Sequence, residues 1–169
     1  MKDESRLWTE GFVFEKIIFH WTEVEDWMND SLYDEMPIHR EGYDVPLRWE
    51  NISKSVIKGI TDQLYPKIPE GFRHLLEDMN WDAHMMKKGD YIKMHSDAGE
   101  GGIFQILVWI SEHNAFKGRE FIYGEEDHLM ERKPECGLVC IMNTADPKFI
   151  HGVKPLLSDD KVVTITGYF

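Results

Sequence analysis

The chain has 169 residues, 42% of them hydrophobic, with six Trp, nine Phe and six Tyr, which suits one folded domain and excludes a disordered chain. Its formal charge of −12, from 31 acidic against 19 basic side chains, disfavours binding to a phosphate backbone. The charged start "MKDESRLWTEGF" lacks an apolar signal-like core and no run approaches membrane-spanning length, so the expectation is a soluble, cytoplasmic protein with no membrane partner.

"FVFEKIIFHW" (12–21) reads as a strand of aromatic and β-branched residues. "TEVEDWMNDSLYDE" (22–35) reads as a short helix capped by Thr22. The stretch 36–49 has too little regular pattern for a helix, and its Arg40, Tyr43 and Arg48 are candidate substrate contacts. Ile52, Val56, Ile57, Ile60 and Leu64 recur at helical spacing behind a cap at Asn51 or Ser53, and Pro66 and Pro69 end that helix. From Asn80 the period changes. Strand-like runs at 80–87, 91–97, 103–110, 119–123, 128–133, 137–143, 148–154 and 161–169 are separated by Gly, Pro and Asp turns. The fold expected is mainly β within an α+β chain: a jelly roll of about eight strands (80–169) braced by N-terminal helices in a supporting segment (1–79). If "ECGLVCIMN" is a strand, Cys136 and Cys140, four apart, stand ~13 Å apart, too far for a disulfide. They read as reduced, packed thiols, which fits the cytoplasm.

Chemistry concentrates at "YIKMHSDAGEGG". His95 and Asp97 share one face of a strand and need polar partners there, a divalent metal being one. His151, in "FIHGVKP", lies on the seventh predicted strand, which can neighbour the second in a jelly roll. Two His and one carboxylate leave coordination positions open, as in the facial triad of non-haem Fe(II) oxygenases, though zinc takes the same ligands. The glycine-rich "SDAGEGG" lacks phosphate-loop spacing and reads as a lip beside the metal. His84 is a candidate pocket-lining residue. His20, His39, His74, His113 and His128 read as surface or structural groups.

The segments "KKGDYIKMHSD", "ILVWIS", "FKGREF", "PECGLVCIMN", "FIHGVKP" and "KVVTITGYF" together resemble the iron- and 2-oxoglutarate-dependent dioxygenases, especially the prolyl-4-hydroxylase-like branch. The first 79 residues carry none of this resemblance. It implies that His95, Asp97 and His151 hold Fe(II) and act as the catalytic metal set. It further implies that 2-oxoglutarate and O2 are cosubstrates and that succinate and CO2 are released. A peptide, prolyl residue or free amino acid would be hydroxylated. Retention of Asp97 favours hydroxylation over halogenation, because related halogenases replace this carboxylate with a small residue. The family's basic anchor for the distal carboxylate falls at Lys161, ten positions past His151. Aligning the terminal "TGYF" instead puts Val162 there, and Arg119 in "GREF" is the reserve anion ligand. Relatives often place a Tyr where this chain has Met86. Tyr91 is a candidate substitute, and Thr164 and Gln105 are further candidate cosubstrate ligands. The rival reading is a non-oxidative, cupin-like metal-binding or sensor module, which needs no cosubstrate anchor.

Overall fold

The computed structural model describes residues 4–30, 47–49, 52–68, 70–99, 102–112 and 117–169. The N-terminal part contributes α1 (Glu4–Glu10), β1 (Phe12–Lys16), α2 (Trp21–Asp30), β2 (Leu47–Trp49), α3 (Lys54–Leu64) and α4 (Leu75–Asp78). Eight strands follow: β3 (Asn80–Met86), β4 (Ile92–His95), β5 (Phe104–Ser111), β6 (Phe121–Glu125), β7 (His128–Arg132), β8 (Leu138–Asn143), β9 (Ile150–Val153) and β10 (Val162–Tyr168). Each coincides with one of the eight strands expected from the sequence. Two antiparallel sheets result, a larger one ordered β1-β8-β5-β10-β3-β2 and a smaller one ordered β4-β9-β6-β7.

Alternation along the larger sheet decides what each face meets. Ile106, Val108 and Ile110 of β5, Val139 and Ile141 of β8, and Val163 and Ile165 of β10 turn toward the helices. There they pack with Val24 of α2 and with Val56, Ile60 and Leu64 of α3. The opposite parity, with Trp109, Cys140 and Val162, meets Phe121, Tyr123 and Val153 of the smaller sheet. β8 is buried at every position, which is why its sequence shows an unbroken apolar run rather than alternation. Ile60 is fully buried where α3 braces the sheet. Ile60→Ala is therefore expected to cost about 2–5 kcal/mol in a urea titration.

The N-terminal elements depart from expectation for local reasons. β1 stops at Lys16 because helix α3 takes over the pairing: the Gln63 side chain accepts from the Ile18 N–H at 2.7 Å and donates to the Ile18 carbonyl at 2.8 Å. α2 starts at Trp21, one residue before the expected cap, and the Glu23 carboxylate accepts from the His20 N–H at 3.4 Å. That is one half of a capping box, with His20 in the cap position. Ser53 stands at the cap of α3 without a side-chain capping bond, its hydroxyl paired instead with that of Ser55 at 2.7 Å. The short strand β2 pairs with β3, Arg48 opposite His84, where the sequence suggested only irregular chain. Arg40, Tyr43, His39 and His113 lie outside the described residues. Both cysteines are free, and burial pushes the Cys140 thiol well above its ordinary range. Among the described residues, no helix is long and apolar enough to cross a membrane.

Candidate metal centre

The smaller sheet brings the two histidines together by register. β4 and β9 run antiparallel with His95 directly opposite His151, and a bulge between Ile92 and His95 sets that alignment. The rings lie 4.3 Å apart. Asp97 follows β4 and turns its carboxylate between them, Oδ1 3.3 Å from His95 Nε2 and Oδ2 3.6 Å from His151 Nε2. One ligand atom from each of the three residues lies within 4.8 Å of the others. The Lys93 carbonyl, 2.8 Å from His95 Nδ1, can only accept, so Nδ1 carries a proton and Nε2 is the atom turned toward the cluster.

Electrostatics suit a cation here. Burial, with His95 nearby, pushes the His151 imidazole down to about 4, so it is neutral and a ready ligand at neutral pH. Burial pushes the Asp97 carboxyl up, but the His95 hydrogen bond, the His151 and His95 charges and a Gln105 hydrogen bond outweigh it and hold it below its ordinary value. The donor set, two imidazoles and one carboxylate on one side, fits a divalent metal that keeps open positions. No other cluster of this kind occurs among the described residues.

Arg119 occupies the other wall of the space between the sheets. It is 1% exposed, and its Nε donates to Met86 Sδ at 3.0 Å while Nη2 donates to the Thr164 hydroxyl. Nη1 is buried with no partner among the described residues. Burial pushes the guanidinium down to about 9, so it stays charged at neutral pH. A buried cation with an unused donor fits an anionic ligand. Two rings link this wall to the metal ligands. Trp109, the register neighbour of Thr164 on β5, lies 5.2 Å from Phe121, whose ring lies 5.8 Å from His151.

The turn that aims Arg119 inward is unusual. Gly118 and Arg119 both have positive φ, +78° and +62°, and Arg119 is the only described non-glycine residue with one. Its N–H donates to the Pro155 carbonyl at 3.1 Å. A Cβ on Gly118 would stand 2.1 Å from that same carbonyl oxygen. Gly118→Ala therefore both strains the backbone and displaces the turn. The expected result is a loss of about 1–3 kcal/mol in thermal unfolding.

The remaining sequence candidates divide. Lys161 is not brought to the site: it is exposed and lies outside β10. Continuing the alternation of β10 gives it the parity of Val163 and Ile165, which face the helices, whereas Val162 and Thr164 face the inter-sheet space. One residue of register separates the two faces. Tyr91 is 36% exposed ahead of β4 and makes no hydrogen bond among the described residues. Gln105 touches Asp97, and Thr164 touches Arg119. Met86, without a hydroxyl, supports Arg119 through its sulfur. His84 pairs in register with Thr164, and its Nε2 lies 3.5 Å from Asp82 Oδ1. Asp82 is 4% exposed and went unremarked in the sequence, although its two-residue spacing from His84 and then Met86 puts all three on one face. His20, His74 and His128 are exposed.

No protein-family model matches the chain, and no curated protein matches it in sequence. Solved structures do match in fold. A prolyl hydroxylase from Trichoplax adhaerens, in complex with a hypoxia inducible factor oxygen degradation domain peptide fragment, superposes with a TM-score of 0.70 at 11% identity, covering 98% of this chain and 86% of that one. A Pseudomonas putida prolyl-4-hydroxylase gives 0.66 at 12% identity, covering 98% and 95%. HygX from Streptomyces hygroscopicus, with nickel, 2-oxoglutarate and hygromycin B bound, gives 0.64 at 13% identity, covering 98% and 86%. The chain therefore has the double-stranded β-helix fold of these 2-oxoglutarate oxygenases, with a His-Asp-His triad in its smaller sheet.

Proposed function

We propose that the protein is an Fe(II)- and 2-oxoglutarate-dependent dioxygenase that hydroxylates an unactivated C–H bond of a prolyl or other peptidyl residue, or of a free amino acid. The observation that carries this reading is the pairing of the triad with a buried guanidinium that has an unused donor. A metal-binding or sensor module has no need of the second.

In this reading His95, Asp97 and His151 hold the metal. Arg119 takes the distal carboxylate of 2-oxoglutarate, with Thr164 and Met86 keeping its fork in place. Gln105 orients Asp97 through their hydrogen bond. The bound metal supplies O2 activation coupled to decarboxylation of the cosubstrate to succinate and CO2. The chain's own part is to position the groups and keep water out: Phe121, Trp109 and Val162 line the inter-sheet space with apolar surface. The two substrate classes rest on likeness, since among the structural neighbours one holds a peptide and another hygromycin B.

The test is succinate release with proline-containing peptides, free amino acids and single-stranded oligonucleotides at low salt, where electrostatic binding is strongest. Stimulation by a peptide or amino acid is expected. Stimulation confined to oligonucleotides contradicts the substrate assignment.

A further inference from the structure

At the far edge of the two sheets, β1 and β7 end their layers without pairing to each other. The gap between them is a cleft of about 640 Å³, within the ~300–1,000 Å³ range of small-molecule sites. Phe12, Phe14, Tyr123, Met130 and Arg132 line it, with one end of α1 beside them. Nothing in the dioxygenase reading uses it.

Its chemistry is specific. The floor is aromatic: Tyr123 lies 4.9 Å from Phe14 and 5.1 Å from Phe12, all tilted rather than parallel. Rings so arranged accept another ring against a face or an edge. The lining carboxylates are already matched by cations, Glu10 by Arg6 at 2.8 Å and Glu125 by Lys148 at 3.2 Å. Arg132 is different. Its guanidinium lies over the Phe14 ring at 4.4 Å, and no carboxylate among the described residues is within ion-pair reach of it. The charge left over at the rim is therefore positive, on the side chain best shaped to grip a carboxylate through two parallel hydrogen bonds. Tyr123 lines the same space, and burial pushes its phenol up, so it stays neutral.

We propose that this cleft is a binding site for a small aromatic carboxylate, separate from the metal centre. The ring lies against Phe14 and Tyr123 while the carboxylate takes Arg132. Phenylacetate is the probe, titrated into the full chain by calorimetry and ligand-observed NMR, with and without excess Mn(II) and 2-oxoglutarate. Saturable binding is expected in both conditions, with no binding of 2-phenylethylamine, which carries the opposite charge. Arg132→Gln weakens binding about tenfold, the value of one charge-assisted hydrogen-bonded contact. Phe14→Leu weakens it through the floor instead, and thermal melts of both variants establish that they are folded. Failure to saturate, displacement by 2-oxoglutarate, equal binding of the amine, or unchanged affinity in a folded Arg132→Gln each overturns the proposal.

Discussion

Arg119→Ala raises the 2-oxoglutarate concentration needed for half-maximal succinate release about a hundredfold or more, and leaves metal binding close to that of the parent chain. Removing one partner of a buried charge pair costs on the order of 3–5 kcal/mol, and each ~1.4 kcal/mol is a decade. The guanidinium is 1% exposed and keeps one donor in reserve, so water cannot replace it cheaply. Arg119→Met is the companion variant, because it fills much of the same volume and separates loss of charge from collapse of the wall. Lys161→Ala, at an exposed position, leaves the requirement unchanged. Steady-state titration of 2-oxoglutarate, with calorimetry of Mn(II) binding alongside, reads both effects. A requirement that moves with Lys161 and not with Arg119 would reverse the assignment.

His95→Ala, Asp97→Ala and His151→Ala each abolish metal-dependent succinate formation. Each removes one of three donors whose ligand atoms lie within 4.8 Å of one another, and a two-donor remnant holds a divalent ion poorly. The fold survives, because β4 and β9 are paired through their backbones and the larger apolar cluster lies on the helix side of the larger sheet. Circular dichroism is expected to overlay the parent, while metal titration shows the loss. His151→Ala also removes a neutral imidazole buried beside Phe121, so its melting temperature drops more than that of His95→Ala. Full turnover in any one of the three excludes that residue from the metal set.

The strands after Asn80 were readable because their side chains alternate or run unbroken between turns that only Gly, Pro and Asp make comfortable. The meeting of His95 and His151 followed from strand order alone, and the register places them opposite each other. The anchor was harder for a definite physical reason. At the end of β10 a single residue decides which face a side chain takes, and Lys161 sits one position outside the strand that Val162 begins. Arg119 reaches inward from a turn rather than a strand, through a positive φ that a non-glycine residue seldom adopts, so no periodicity announces it. α1 was hidden because Leu7 is its one buried side chain among those described, too little for an amphipathic pattern. The end of β1 depends on Gln63, 45 residues away from Ile18, and no local window contains that contact.

The central claim is that the triad and Arg119 jointly hold Fe(II) and 2-oxoglutarate. The most direct measurement adds both to the protein without oxygen and records the visible spectrum. The account predicts a weak charge-transfer band that needs both additions, saturates with 2-oxoglutarate, and in Arg119→Met appears only at far higher 2-oxoglutarate. Tight Fe(II) binding with no band at any 2-oxoglutarate concentration would contradict it and leave a metal-binding module in its place.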